Sequence, residues 1–519
     1  MPADSFGFLA IFRRLKMHPA LRDLGVVGAS GFITAIAGML VISVVGKAFG
    51  AALLGEYLLI RRMASWLQAG VQLPSGVALP RYVSASLDDP NSPKLAYFVS
   101  ALLAACGIGL LTCFVLLVWR HRISGVLFGS SALDHLVLPL GVLLMGFAVH
   151  GAVYGYLQGI LKMGRASALQ LCDLAVFPLG TALVLRSYHS VSLLVTTSSI
   201  LMIICACSFA FPFLRKGNFL VSLEKLKRHG YELISYGYSR VAHDFGLQAL
   251  LSLPAVIAAH YFPMSSVGYL LLAGSFLTMV AAGTLPLAII LLSRVSRSIA
   301  QTGTDQLKTR VCYFVSALIE LSVFICLQMI LFADVFVRFW VGPSFLEGIR
   351  AIQIAILAVP FYFIHAGLRG VIDAASIKAY NAWNVCIAVA GFLVCVGLVQ
   401  IFVPHAQLLE GLAAAGVMGM VILACCSTWT VMKLFEINLD WARLTPGICV
   451  GLLFGGLSFW LHDVLQYQPS LMALVAYEIA LTATYLLVLG LINPPWVRFF
   501  RSNMLTYSSQ QKEKPAISG

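Results

Sequence analysis

Arg61, Ser65, Gln68, Gln72 and Ser75 recur at spacings of four, three, four and three within an otherwise apolar stretch. On a helix those spacings place all five side chains on one face. A guanidinium matches the paired oxygens of a phosphate, and the amides beside it can hydrogen-bond polar groups without adding charge. Lining an aqueous cavity, such a face is natural; in lipid an Arg at mid-span costs about 2.5–3.5 kcal/mol on insertion scales. The alternative is that the stripe bonds to neighbouring helices while Arg61 and Arg62 reach outward. A second series, Tyr236, Arg240, Asp244 and Gln248, steps by four, with His243 beside it.

Arg240 and Asp244 are i,i+4 neighbours and can neutralise each other, which makes the segment insertable. They can equally divide the work, Arg240 contacting an oxyanion and Asp244 binding a coupling H+ or Na+. Glu320 has no partner in its own helix and is a second ion-coupling candidate. His365, Arg369 and Asp373 form a further series of fours, with Arg369 either facing a cavity or anchoring a helix end. Asp173 and His150 are expected to hydrogen-bond between helices. Neither a cofactor nor a metal is expected.

The elements that must hold these residues are membrane helices. Of 519 residues, 60% are hydrophobic and 11% charged, against roughly 25% charged in a soluble domain. The apolar residues come in blocks of about 20 to 28, long enough to cross a hydrocarbon core. The ten-residue alternation of a β-barrel span is missing. The chain therefore reads as an all-α polytopic membrane protein of about fourteen spans. These are 25–46, 53–80, 95–119, 136–160, 166–187, 191–214, 232–259, 265–292, 309–334, 350–372, 380–403, 408–434, 443–461 and 470–491.

The net charge of +13 is topogenic. With this span order and with residues near span ends counted to the nearer side, 25 Lys and Arg fall on the side of the termini and six on the other, while Arg61, Arg62 and Arg240 lie deeper inside spans. The positive-inside rule then puts both termini in the cytoplasm, and a nucleic-acid partner is excluded. Residues 5–16 (SFGFLAIFRRLK) read as an interfacial helix rather than a signal peptide. The twelve cysteines include no CxxC pair and mostly fall within spans, as buried thiols do. Every connection is short, so no extramembrane domain is expected in which soluble chemistry could occur. That argues against an enzyme.

The chain also repeats itself. Gly55-Glu56-Tyr57-Leu58-Leu59 pairs with Val267-Gly268-Tyr269-Leu270-Leu271, Leu79-Pro80-Arg81 with Leu292-Ser293-Arg294, and Leu157-Gln158-Gly159 with Leu368-Arg369-Gly370. The offsets are 212, 213 and 211 residues. Six spans, an even number, separate the partners, so the repeats are parallel. The expected organisation is a cytoplasmic segment 1–24, an N-lobe 25–214, a linker 215–231, a C-lobe 232–434, a helical hairpin 435–491 and a tail 492–519. A substrate site is expected between the lobes.

Residues 50–85 (GAALLGEYLLIRRMASWLQAGVQLPSGVALPRYVSA) resemble the first hairpin of polysaccharide-exporter flippases, in the superfamily that also holds the multidrug and toxin extruders. Residues 156–171, 265–275, 291–303 (LLSRVSRSIAQTG) and 338–345 (RFWVGPSF) are similar as well, so the resemblance spans about 20–435. It implies alternating-access flipping of undecaprenyl-diphosphate-linked oligosaccharide for O-antigen, capsule or exopolysaccharide at the inner membrane, beside polymerase and export components. The Arg-x-Pro-Asn and Ala-Glu-Gly-Ala run of lipid II flippases is absent near span 2, which disfavours lipid II itself. A multidrug extruder usually has twelve spans, and the hairpin at 443–491 counts against that alternative.

Overall fold

The computed structural model describes residues 19–87, 93–216, 223–279, 305–376, 378–438, 441–465 and 471–492. Helices make up nearly all of it, and no strand occurs among the described residues. Lipid offers the backbone no hydrogen-bond partner, so a segment this apolar must satisfy its N–H and C=O groups internally. Among the described residues, eleven helices are long and apolar enough to cross a bilayer, twelve if Pro343–Ile356 and Val359–Ala375, bent by 43°, form one span. The first of them, α1 (Pro19–Val71), covers two expected spans, because Gly50 at φ 79° breaks it into two limbs. The apolar helix Met264–Met279 is the described part of the eighth span. The all-α polytopic class read from the sequence is the class observed. Residues 1–18, residues 217–222 of the linker, the motif at 291–303 and the tail beyond 492 lie outside the described residues.

By packing, the chain divides into two compact units, Met1–Leu271 and Leu272–Gly519. The first is built around α5 (Val137–Gly159), which packs against α1, α2 (Ala78–Ala85), α3 (Lys94–Val118) and α7 (Val191–Lys216). A stripe of glycines lets the neighbours of α5 approach. A Cβ on Gly155 would lie 2.7 Å from the Ser75 carbonyl oxygen, and one on Gly159 2.7 Å from Val83 Cβ. Between α3 and α5, Arg120–Phe128 forms the short helix α4. The first unit also holds α6 (Met163–Leu185) and α8 (Leu223–Ala258), with α8 packed on α1 and α3.

Two expected spans of the first unit are interrupted. The second does not run unbroken to residue 80: α1 stops at Val71, and a turn precedes α2. Pro74 lacks an N–H and Ser75-Gly76 follows it, the usual ingredients of a break. Ser75 is therefore off the helical stripe; its hydroxyl donates to the Gln72 carbonyl at 3.4 Å. In α6, residues Cys172–Val176 form a π-turn. Pro178 follows it and can give no hydrogen bond to the preceding turn.

The sequence repeat extends to the form of the backbone. In the first unit, α4 is followed by Gly129 at φ 74°, a 3-10 turn Ser131–Leu136 and then α5 from Val137. In the second, the helix Ala333–Trp340 is followed by Gly342 at φ 112°, a 3-10 turn Pro343–Gly348 and a helix from Ile349. The 3-10 turns and the helices after them start 212 residues apart, at the offset of the sequence matches.

In the second unit, Asp305–Leu331 packs against Val359–Ala375 on one side and the helix Trp441–Leu465 on another. The last helix, Leu471–Ile492, is fastened by Tyr485, whose ring stacks on Phe324 at 4.1 Å between centroids. Its hydroxyl donates to the Glu320 carbonyl at 3.0 Å.

Candidate functional site

Four of the five stripe residues come together. Arg61, Ser65 and Gln68 on α1, with Gln72 just past its end, line one cavity of about 380 Å³ inside the first unit. Its other walls are Phe147, His150, Gly151, Tyr154, Gly155 and Gln158 on α5, and Gln170 and Leu174 on α6. No carboxylate is among these lining residues. The Arg61 guanidinium makes no ion pair or hydrogen bond with any described residue. A cation held this way has room for an anionic guest, since nothing nearby already neutralises it.

The local folding explains the opening. Gln72 closes the stripe just past the end of α1, where its amide nitrogen donates to the Phe147 carbonyl at 2.9 Å. Gly151 has no side chain at the same level, so the Gln72 side chain lies directly on the α5 backbone. Ser65 turns its hydroxyl back to the Arg61 carbonyl at 2.9 Å, and its own oxygen stays available as an acceptor.

Behind the cavity wall, His150 Nδ1 meets Asp173 Oδ2 at 2.7 Å. Each residue was expected to hydrogen-bond between helices rather than to contact cargo; they do so with each other, and His150 is also a lining residue. Asp173 is 1% exposed and sits in the π-turn of α6. Tyr154 stacks on His150 with 5.5 Å between ring centroids and donates to Gln170 Oε1 at 3.3 Å. His150, Tyr154 and Gln158 were legible at four-residue spacing beside the glycine stripe, but no charge drew attention to them.

The remaining candidates are distributed elsewhere. The side chain of Arg240 lies outside the described residues; its backbone is in α8, as is half-buried Asp244. In α8 the neighbouring Phe245 ring meets Trp66 of α1 at 5.5 Å. Arg369 and Glu320 belong to the second unit. The Arg369 carbonyl accepts from Asn381 Nδ2 at 3.2 Å, and that amide also donates to Asp373 Oδ1 at 2.8 Å. His365 Nδ1 and the Ser427 hydroxyl lie 2.8 Å apart. Glu320 is fully buried, with neither carboxylate oxygen hydrogen-bonded, and its side chain lies against Gly447 of the C-terminal hairpin. Among the described residues, no His, Cys, Asp and Glu cluster could hold a metal ion.

No protein-family model matches this chain, and no curated protein sequence does. Solved structures do. A lipid II flippase, MurJ, in an inward closed conformation superposes with a TM-score of 0.69 at 14% identity, covering 91% of this chain and 99% of that one. An inward-facing multidrug resistance MATE transporter of the MOP superfamily gives 0.61 at 15% identity, covering 78% and 94%. An outward-facing MATE transporter gives 0.51 at 15% identity, covering 81% and 97%. The 91% coverage exceeds what residues 1–435 of 519 can supply, so the flippase superposition reaches into the C-terminal hairpin. At these identities the likeness is one of fold, and this multi-pass membrane chain has the fold of MurJ and the MATE transporters.

Proposed function

We propose that this protein is a transporter that flips polyprenyl-diphosphate-linked oligosaccharides from the cytoplasmic to the outer leaflet of the inner membrane, for a surface polysaccharide. Both termini lie in the cytoplasm in this reading. The observation that carries it is Arg61, unneutralised in a cavity lined by amides and hydroxyls and by no carboxylate. A diphosphate and its sugars suit such a wall: the guanidinium takes phosphate oxygens and the Gln and Tyr side chains take hydroxyls.

Arg240 supplies a second cation in this reading, and Arg369 a third. Asp244 or Glu320 couples the cycle to H+ or Na+. A cationic drug, the cargo of a multidrug extruder, would instead meet repulsion at Arg61. The helical hairpin beyond residue 435, included in the flippase superposition, supports the same choice. The test is translocation of a defined lipid-linked saccharide by purified protein in vesicles. Translocation abolished by Arg61→Ala supports the reading; vesicles that export cationic dyes but leave the saccharide unmoved overturn it.

A further inference from the structure

His150 sits on the cavity wall with a carboxylate behind it. Nδ1 is engaged by Asp173 Oδ2 at 2.7 Å, and no described residue bonds Nε2. Asp173 Oδ1 has no hydrogen-bond partner, and the Asp173 side chain is wholly buried. A carboxylate at Nδ1 fixes the ring's tautomer and orientation and stabilises an imidazolium, leaving Nε2 as the site where a proton comes and goes. The π-turn in α6 and the π-stacked Tyr154 hold the pair in register. Two helices joined only for packing need none of this; an apolar contact would serve at less cost.

The groups facing the pair are few. From α1 it is Arg61; on α6 it is the Cys172 thiol; from α7 it is the Cys205 thiol, beside Asp173. On α5 itself it is Tyr154. The one ionised residue of α3, Lys94, is at that helix's first position and donates to the Leu87 carbonyl at 2.8 Å. No second carboxylate faces His150 among the described residues. Taking up one proton turns a wall with a single cation, Arg61, into a wall with two.

We infer that His150, held by Asp173, is a proton-linked phosphate-binding group of this cavity: an anionic phosphate ester binds together with a proton at Nε2. Asp173 is a positioning residue and touches no cargo. The inference rests on the flippase reading for the identity of the guest. By linkage, a proton that tightens anion binding is itself taken up when the anion binds. Acidification therefore favours the loaded cavity, and loss of the proton favours release.

The test is calorimetry of the full-length protein in detergent, titrated with a geranyl-diphosphate-linked hexose. That diphosphate diester keeps a constant charge between about pH 6 and about pH 8, so any proton counted belongs to the protein. Binding about tenfold tighter at about pH 6 than at about pH 8 is expected, equivalent to an average uptake of about half a proton. Runs in two buffers of different ionisation enthalpy count that proton directly. His150→Gln, whose amide can still donate to Asp173, should bind with no uptake, and Asp173→Asn should shift the response to lower pH.

Wild-type binding with no proton uptake overturns the inference and leaves the flippase reading intact, as does uptake that persists in His150→Gln. No binding by the wild type overturns both. If His150→Gln fails to fold, Asp173→Asn decides the assignment: uptake with an unchanged pH response in that variant overturns the inference.

Discussion

Gln72 rests on Gly151: any Cβ at residue 151 would stand 2.7 Å from the Gln72 amide nitrogen. That amide is bound to the Phe147 carbonyl, so it cannot simply swing away. Gly151→Val should therefore push Gln72 off its acceptor and into the cavity. A destabilisation of about 1–3 kcal/mol from overpacking is expected, with cargo transport lost beyond what the lower protein level explains. Gly180→Val in α6, where a Cβ meets nothing within 4 Å, is the control. Comparing vesicle transport normalised to folded protein checks both.

Arg61 is the cation of the cavity, and the charge and the fork geometry can be separated. Arg61→Lys keeps the charge and loses the two-pronged fit, so transport should fall by about tenfold while the protein folds normally. Arg61→Ala combined with Arg240→Ala should abolish surface polysaccharide at normal protein level. Normal polysaccharide in the double variant would remove both residues from the site.

The two glycines that follow the short helices separate strain from contact. Gly129 at φ 74° faces the Ala259 carbonyl so closely that a Cβ has no room, whereas Gly342 at φ 112° opens on empty space. Gly342→Ala should cost about 1–3 kcal/mol from backbone strain alone. Gly129→Ala should cost more, because the strain is joined by a clash with backbone that has little freedom to move. Melting temperatures in detergent give the order, and a Gly342→Ala variant less stable than Gly129→Ala contradicts it.

Much of this was readable from residue spacing. The four-three-four pattern placed Arg61, Ser65, Gln68 and Gln72 on one surface, because a helix of apolar length leaves no other arrangement. Ser75 escaped the pattern, since a periodicity argument assumes an unbroken helix and Pro74 ends that assumption. The repeat offset was visible at three short matches, yet the helix, turn and glycine that repeat most faithfully share little sequence. Their common feature is backbone form, which many sequences satisfy. His150 and Asp173 were each expected to hydrogen-bond between helices, but not with each other; Asp173 sits in a π-turn, a register shift with no periodic signal.

Glu320 and Gly447 show how the C-terminal hairpin is held. The Glu320 side chain fills the space that a Cβ at residue 447 would need, and the Tyr485 hydroxyl caps the Glu320 carbonyl from the last helix. Gly447→Leu must therefore displace either a buried side chain or the whole helix Trp441–Leu465. The packing of that helix on Asp305–Leu331 should loosen, at a cost of about 1–3 kcal/mol. Tyr485→Phe removes one hydrogen bond and keeps the ring stacked on Phe324, so about 1 kcal/mol is expected. Glu320→Ala combined with Gly447→Ala puts the two changes in contact, where small and large exchange places, and should recover part of the loss seen with Gly447→Ala alone. Thermal melting of the four proteins measures the coupling; strictly additive effects would mean that the two residues do not support each other.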